Sequence, residues 1–185
     1  KARNFFAANT LAGRFVKGAD FIKAWNSEQA YSWSIIDCLM NLPILYWASR
    51  ELGDDRFKRI AMDHADMAIR DHVRDDGSVV HIVEHDRETG ECVKTYGGQG
   101  YEVGSSWSRG QAWGLYGYPM MYRFTKEQEF LDHATAIAEY LLPRLPEDGI
   151  PYWDYDSPDI PNDVRDASSA AIMASALIEL STYVD

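Results

Sequence analysis

The sequence predicts an all-α fold made of helical hairpins, and three observations support that prediction. Apolar helical segments alternate with amphipathic ones, Asp-Gly turns and short extended pieces separate the pairs, and this order recurs at intervals of about 55–75 residues. A four-helix bundle would require amphipathic helices throughout. A ring of hairpins instead places apolar helices in an inner wall and amphipathic helices in an outer wall. With three apolar helices, residues 1–185 are expected to form about the middle half of a ring, with its N- and C-terminal parts outside them.

Each element follows from hydrophobic periodicity and turn residues. The predicted segments, in order, are a helix at 4–15, an extended piece at 21–25, an apolar helix at 34–52, an amphipathic helix at 54–73, a strand at 78–84, an apolar helix at 108–124, an amphipathic helix at 127–142, an aromatic extended piece at 152–155 and an apolar helix at 165–183. We expect Pro43 to kink the first apolar helix, because proline lacks the N–H that a helix interior requires.

Composition excludes several classes of partner and cofactor. The formal charge of −11 disfavours nucleic acid and anionic membranes, which are polyanions, although a local basic pocket can still bind a small anion. No apolar run approaches the roughly 20 residues of a membrane span. The two cysteines, Cys38 and Cys92, are predicted to be free thiols. Because no His or Cys pair has metal-ligand spacing, we expect no metal site. Compartment (cytoplasm or periplasm) and oligomeric state stay open.

The segment Ser105–Trp113 carries the clearest functional signal. Two indoles, Trp107 and Trp113, flank a guanidinium, Arg109, at the start of a predicted helix. A flat indole can cover the apolar face of a sugar ring, and the planar fork of arginine can donate two parallel hydrogen bonds to a carboxylate. One tryptophan alone would be read as core, but two of them beside an arginine indicate a site for an acidic sugar.

All three apolar helices share a predicted start signal. The segments 34–37, 108–111 and 163–166 each place a capping residue three positions before an acid or an amide. In a ring of hairpins the inner helices begin on one rim, where free N–H groups favour an anion. The side chains expected on that rim are Asp37, Arg109, Gln111, Trp113, Arg165 and Asp166.

Asp37 is the candidate proton donor. Its apolar neighbours Ile36, Cys38 and Leu39 predict partial burial, and desolvation favours the protonated form of a carboxyl group. A helix N-terminus favours the ionised form instead. From the residues alone, a capping role is therefore favoured over an acid role.

Two further polar residues are candidates for the same site. His81 lies in the apolar run 79–83, where a structural role is favoured until context says otherwise. Glycines flank Gln99 and would let it approach a ligand. They resemble a phosphate cradle only superficially, since no Lys-Ser or Lys-Thr follows them. His64, His72, His85 and His133 are assigned to charged helix surfaces and loops.

Six segments together resemble one enzyme family. They are FIKAWN (21–26), SIIDCLMN (34–41), GSVVH (77–81), GQGY (98–101), SWSRGQAW (106–113) and RDASSAA (165–171). Their order is similar to that of the unsaturated glucuronyl hydrolases, glycoside hydrolase family 88. The related family 105, the unsaturated rhamnogalacturonyl hydrolases, fits less well, because SWSRGQAW favours the glucuronyl family.

The resemblance implies an (α/α)6 barrel and a cofactor-free glycoside hydrolase. Such enzymes remove a 4,5-unsaturated uronic acid from the non-reducing end of oligosaccharides left by polysaccharide lyases, in a reaction similar to hydration of a vinyl ether. By motif, Asp37 matches the general acid/base, and the substrate-contacting positions are His81, Gln99, Trp107, Arg109 and Trp113. A second essential aspartate of the family lies on an earlier inner helix, outside these residues, so the 185 residues alone are expected to be inactive.

Two other interpretations stay open on the sequence. Another α/α-barrel sugar enzyme, such as an epimerase, would use paired histidines on inner helices. A non-catalytic sugar-binding fragment would keep the aromatic rim without the chemistry. The polysaccharide source, linkage and sulfate preference are not fixed by the residues.

Overall fold

The computed structural model describes residues 1–184, and about half of them are helical. The helices are α1 (Ala2–Ala12), α2 (Pro43–Leu52), α3 (Arg56–His72), α4 (Ser108–Thr125), α5 (Gln128–Leu141) and α6 (Ala167–Leu180). Two 3₁₀ segments cover Ile36–Asn41 and Leu142–Arg144. Both cysteines are free, as predicted, and burial raises the pKa of the Cys38 thiol to about 12.

Two small antiparallel sheets show that the chain is not purely helical. The strands are β1 (Phe15–Val16), β2 (Phe21–Ile22), β3 (Trp33–Ile35), β4 (Ile82–His85) and β5 (Cys92–Tyr96). β1 pairs with β2, and β4 lies between β3 and β5 in the second sheet. In that sheet Ser34 is opposite Val83, and Ile82 is opposite both Ile35 and Tyr96. This second sheet brings together the end of β3, which Asp37 follows, and the start of β4, which His81 precedes.

Helix α4 is the most buried helix of the described chain. It packs against α5, α6 and the first 3₁₀ segment. Gly117 makes the last of these contacts possible, because a Cβ at this position would lie 2.5 Å from the Leu39 side chain. The apolar character predicted for this helix is therefore confirmed, and its first turn is brought beside residues 36–39.

The predicted helix over residues 34–52 is wrong in its first half. Residues 33–35 form β3, a 3₁₀ segment follows, and the α-helix begins only at Pro43. Proline is well suited to a first helical turn, where no N–H is required, and poorly suited to a helix interior. Pairing of Ser34 with Val83 supplies the backbone hydrogen bonds that the predicted helix would have made.

Two β segments also differ from the sequence prediction. The strand predicted at 78–84 lies at 82–85, and β5 falls inside a region predicted as loop. No helix within residues 1–184 has the length and apolarity to cross a bilayer. The other predicted helices are present, with ends displaced by a few residues.

Candidate active site

Asp37 and His81 lie side by side because β3 and β4 are antiparallel neighbours. Asp37 follows β3, His81 precedes β4, and the Ile36 N–H donates to the His81 carbonyl at 3.2 Å. The Asp37 Oδ2 atom is 3.5 Å from His81 Nε2. This oxygen is buried and accepts no hydrogen bond from the described residues, while the side chain as a whole is 29% exposed. The carboxyl group therefore lies next to one imidazole and is open on its other side.

The orientation of the His81 ring is set by the loop after β5. The Gln99 N–H donates to His81 Nδ1 at 3.1 Å, so a neutral ring carries its proton on Nε2, the atom that faces Asp37. Gly98 has φ of +62°, and a Cβ there would lie 2.1 Å from His81 Nδ1. The glycine lets the loop backbone approach the ring this closely. Gln99 contributes only its backbone N–H to this arrangement, and its side chain is exposed.

Trp107 and Arg109 continue the site from His81 towards α6. The Trp107 ring is buried and packs against the His81 ring with 4.3 Å between centroids. The Arg109 guanidinium lies 5.1 Å from the centre of the Trp107 ring. It also donates to Ser168 Oγ at 3.1 Å and is 3.6 Å from the Asp166 carboxylate. A continuous series of contacts thus joins Asp37 to the first turns of α4 and α6.

Trp113 lies one helical turn beyond Arg109 on α4. It is half-buried and lines an open cavity with a volume of about 350 Å³ between α4 and α6. The other lining residues are Tyr116, Ala171, Ile172 and Ser175. Trp113 therefore adds an aromatic surface to the side of the site that already holds the guanidinium.

Two residues expected on the rim are elsewhere. Gln111 is fully buried, where its amide accepts from the Val79 N–H and donates to the Val79 carbonyl, both at 2.9 Å. Arg165 pairs with Asp148 at 3.0 Å and stacks on Tyr152. Gln111 is long enough to reach the neighbouring β segment, whose backbone groups would otherwise be buried without partners.

The predicted capping boxes are also wrong. Ser34 lies in β3, and the α4 N-cap is Trp107 without a side-chain cap. In the third helix Asp166 itself caps α6 by accepting from the Ser169 N–H at 2.9 Å. Side chains that could cap a helix have found partners in tertiary contacts instead, which a local pattern does not reveal.

Asp154 supports the site and was not anticipated from the sequence. Its fully buried carboxylate accepts from the Tyr101 N–H at 2.8 Å and from Ser105 Oγ at 2.7 Å. These two bonds hold the loop that also brings Gln99 to His81. Its position among the aromatic residues 152–155, after an Asp-Gly turn, was the only available signal.

Three histidines assigned to charged surfaces are in fact buried. His64, His72 and His85 are at most 2% exposed. Burial lowers the pKa of His64 to about 3 and that of His72 to about 4, and it also lowers the pKa of His85. They are sealed from solvent, so they are not the accessible histidine pair that an epimerase would require. No group of three metal-binding side chains occurs in the described part of the chain.

Comparison with known proteins gives close matches along nearly the whole chain. An unsaturated glucuronyl hydrolase of Bacillus sp. (strain GL1) is 39% identical over 182 residues, which is 97% of this chain and 48% of the relative. An unsaturated chondroitin disaccharide hydrolase of Streptococcus pyogenes serotype M1 is 40% identical over 94% of this chain and 44% of the relative. No protein-family model matches the sequence.

A solved structure shows the same fold. The crystal structure of the unsaturated glucuronyl hydrolase from Bacillus sp. GL1 has a TM-score of 0.94 and 38% identity, and the match covers 98% of this chain and 49% of that one. The chain spans about half the length of the curated relatives it matches. Its helical hairpins and short strands therefore have the fold of about half of that α/α-barrel structure.

Proposed function

We propose, because this chain is homologous to unsaturated glucuronyl hydrolases over nearly its whole length, that the protein removes 4,5-unsaturated uronic acid from lyase-generated oligosaccharides. Such an enzyme is a glycoside hydrolase that hydrates a vinyl ether. The side chains described above can carry out this reaction without a cofactor. The polysaccharide that supplies the substrate stays open, since the relatives are named for more than one unsaturated sugar.

The side chains fit this reaction in the following roles. Asp37 donates a proton to C4 of the unsaturated ring, and water then adds at C5 and releases a proton that restores the acid. The hemiketal that results collapses and releases the second sugar. His81, through Nε2–H, orients the Asp37 carboxyl group, and Arg109 binds the uronate carboxylate. Trp113 provides a stacking surface for the sugar, the buried Trp107 ring supports His81 and Arg109 from behind, and Gln99 lies at the edge of the site.

The Asp37–His81 pair is the observation that carries the proposal. One carboxylate oxygen is buried with only an imidazole near it, and an indole and a guanidinium follow within contact distance. A proton donor beside an aromatic surface and a cation is the combination that an unsaturated uronide requires. A sugar-binding module would need only the aromatic surface and the cation, without the proton donor.

We also propose that residues 1–185 form part of an (α/α)6 barrel whose other hairpins complete the site. The exposed apolar surface of α6 supports this, because Ile178 is 71% exposed on a helix that is apolar all round. Such a surface is expected to face a neighbouring hairpin. The second essential aspartate expected from the family would come from one of those hairpins.

Asp37→Asn in the whole protein tests the proposed chemistry. Asn has the same shape, but its amide is far too weak an acid to protonate carbon, so turnover should fall about 1,000-fold, within the range of general acid catalysis, while binding of an unsaturated disaccharide is retained. Turnover is measured as loss of the ultraviolet absorbance of the conjugated double bond. Asp63→Asn, at a half-buried position on α3, is the matched control and should behave as wild type.

Two results would contradict the proposal. Retained turnover in Asp37→Asn would remove Asp37 from the acid role. Binding of the unsaturated disaccharide by wild type without any loss of absorbance would favour a non-catalytic sugar-binding protein instead.

A further inference from the structure

A buried polar cluster lies directly beneath the Asp37–His81 pair and has no role in the chemistry described so far. It consists of Ser34, His72 and His85, which are fully buried or 2% exposed. Ser34 Oγ is 2.7 Å from His72 Nε2 and 2.8 Å from His85 Nε2. The separation of Ser34 from His72 would suit a nucleophile and its base, but no substrate can reach a hydroxyl group that is sealed in the core.

The protons of this cluster can be assigned from its fixed acceptors. His72 Nδ1 is 2.8 Å from the Val80 carbonyl, which can only accept, so Nδ1 carries the proton. His72 Nε2 is then an acceptor in the neutral ring, and the Ser34 hydroxyl donates to it. Having donated its one proton, Ser34 accepts from Nε2–H of His85. His85 Nδ1 lies 3.4 Å from the Gly90 carbonyl and 3.5 Å from the Asp71 carboxylate. With both rings neutral, the contacts of His72 and Ser34 are therefore satisfied, but those of His85 Nδ1 are not.

His72 contacts both of the segments that carry the proposed acid and its imidazole partner. It exchanges two hydrogen bonds with Val80, because the Val80 N–H also donates to the His72 carbonyl at 2.7 Å. Val80 directly precedes His81. Ser34, the other partner of His72, lies three residues before Asp37. One imidazole at the end of α3 therefore fixes both sides of the 3.5 Å contact between Asp37 and His81.

We propose that His72 and Ser34 are positioning residues that set the Asp37–His81 geometry from below. This inference rests on the proposed function for its catalytic consequence, but its structural part can be tested separately. A carboxyl group that transfers a proton must be placed within a fraction of an ångström. Loss of the Ser34 hydroxyl leaves two buried ring nitrogens without a partner and frees β3 from α3.

The first test requires no substitution. Nitrogen-15 NMR of the histidine rings distinguishes the two neutral tautomers. We expect His72 to carry its proton on Nδ1 and His81 to carry its proton on Nε2. A His72 ring protonated on Nε2 would overturn the proposal, because it could not then donate to Val80 and accept from Ser34.

The second test compares two buried serines. Ser34→Ala is expected to lower kcat by about 10-fold to 100-fold with little change in KM, in line with the cost of a small displacement of a catalytic group. Ser49→Ala is the matched control, because the Ser49 hydroxyl is also buried and makes two hydrogen bonds, to the Asp54 carbonyl at 2.7 Å and from the Lys58 N–H at 2.8 Å. Both variants should lose stability, but only Ser34→Ala should lose kcat.

The outcomes separate this proposal from the proposed function. Equal kcat losses in the two serine variants would reject a positioning role for Ser34. If the wild-type protein does not hydrate unsaturated uronides, the proposed function fails. In that case the NMR spectrum of Ser34→Ala still tests the positioning role. Wild-type His81 should carry its proton on Nε2 only, whereas in Ser34→Ala a mixture of the two His81 tautomers is expected. An unchanged His81 signal would overturn the inference.

Discussion

The two sides of the candidate site are held in different ways. Asp37 and His81 lie just beyond the ends of two paired strands, close to buried histidines and beside a loop fastened by Asp154. Arg109 and Trp113, on the other side, project from one helix surface. Arg109 is 35% exposed, and its polar partners on α6 are 3.1 Å and 3.6 Å away.

This difference matches the tolerance of the two tasks. Proton transfer loses rate steeply when the reacting atoms are displaced, whereas an indole or a guanidinium can bind a sugar over a range of positions. We therefore expect disturbances on the Asp37 side to appear in kcat and in stability, and disturbances on the Arg109 side to appear in KM.

Lowering the pH should have the largest effect, on the free energy of unfolding. It should act through buried histidines, of which His72 lies on the Asp37 side of the site. Unfolded histidines bind protons below about pH 6.5, but burial holds the pKa of His72 at about 4 and that of His64 at about 3 in the folded protein. The unfolded state therefore binds more protons over this range, so the free energy of unfolding falls as the pH decreases from about 6.5 towards 4. Thermal unfolding at a series of pH values measures the slope.

A single substitution isolates the contribution of one ring. Asn at position 64 can keep the hydrogen bond that His64 Nδ1 accepts from the Ile22 N–H at 3.0 Å, but it does not titrate. In His64→Asn the slope of the unfolding free energy against pH should therefore decrease by the amount that corresponds to about one bound proton. An unchanged slope in His64→Asn would show that this buried ring does not control acid stability.

Gly98→Ala should have the next largest effect, on kcat. The added Cβ would lie 2.1 Å from His81 Nδ1, so the ring must leave its present position beside Asp37, and we expect a loss of about 100-fold. Gly53→Ala is the control, since Gly53 has φ of +64° with nothing near its Cβ position. Both variants should lose about 1 kcal/mol of stability from backbone strain. Equal kcat values would argue against the His81 assignment.

Arg109→Ala should have the smallest effect, an increase in KM of about tenfold, equivalent to about 1.4 kcal/mol of lost binding. Arg123→Ala is the control, because Arg123 also joins α4 to α6 through a 3.6 Å ion pair, with Glu179. Steady-state kinetics with an unsaturated disaccharide measures both variants. An unchanged KM in Arg109→Ala would refute the carboxylate-binding role.

The sequence was sufficient for most of the helices and for the residues that meet in the candidate site, through different kinds of signal. Periodicity located α3, α4 and α5 because each has a burial pattern that repeats along its own length. The arrangement around Asp37 was found through motifs rather than periodicity. His81, Trp107 and Arg109 then proved to lie in one continuous set of contacts with it.

The errors have a common physical origin in pairing between distant residues. Ser34 looked like a helix cap, but its backbone pairs with Val83 and its hydroxyl binds His72. Gln111 looked like part of a capping box, but it satisfies the backbone of Val79. For the histidines a signal did exist, since His64 and His72 fall on the same face as Ala61, Ala65 and Ala68, which is the buried face of α3.

The bonds that Asp154 makes have a consequence for the order of assembly. Tyr101 is held by a carboxylate 53 residues later in the chain. During synthesis from the N-terminus, the strand leading to Asp37 leaves the ribosome well before that carboxylate exists. The loop that orients His81 therefore stays unfastened until translation has passed residue 154, and a nascent chain halted earlier would carry the acid without its aligned imidazole.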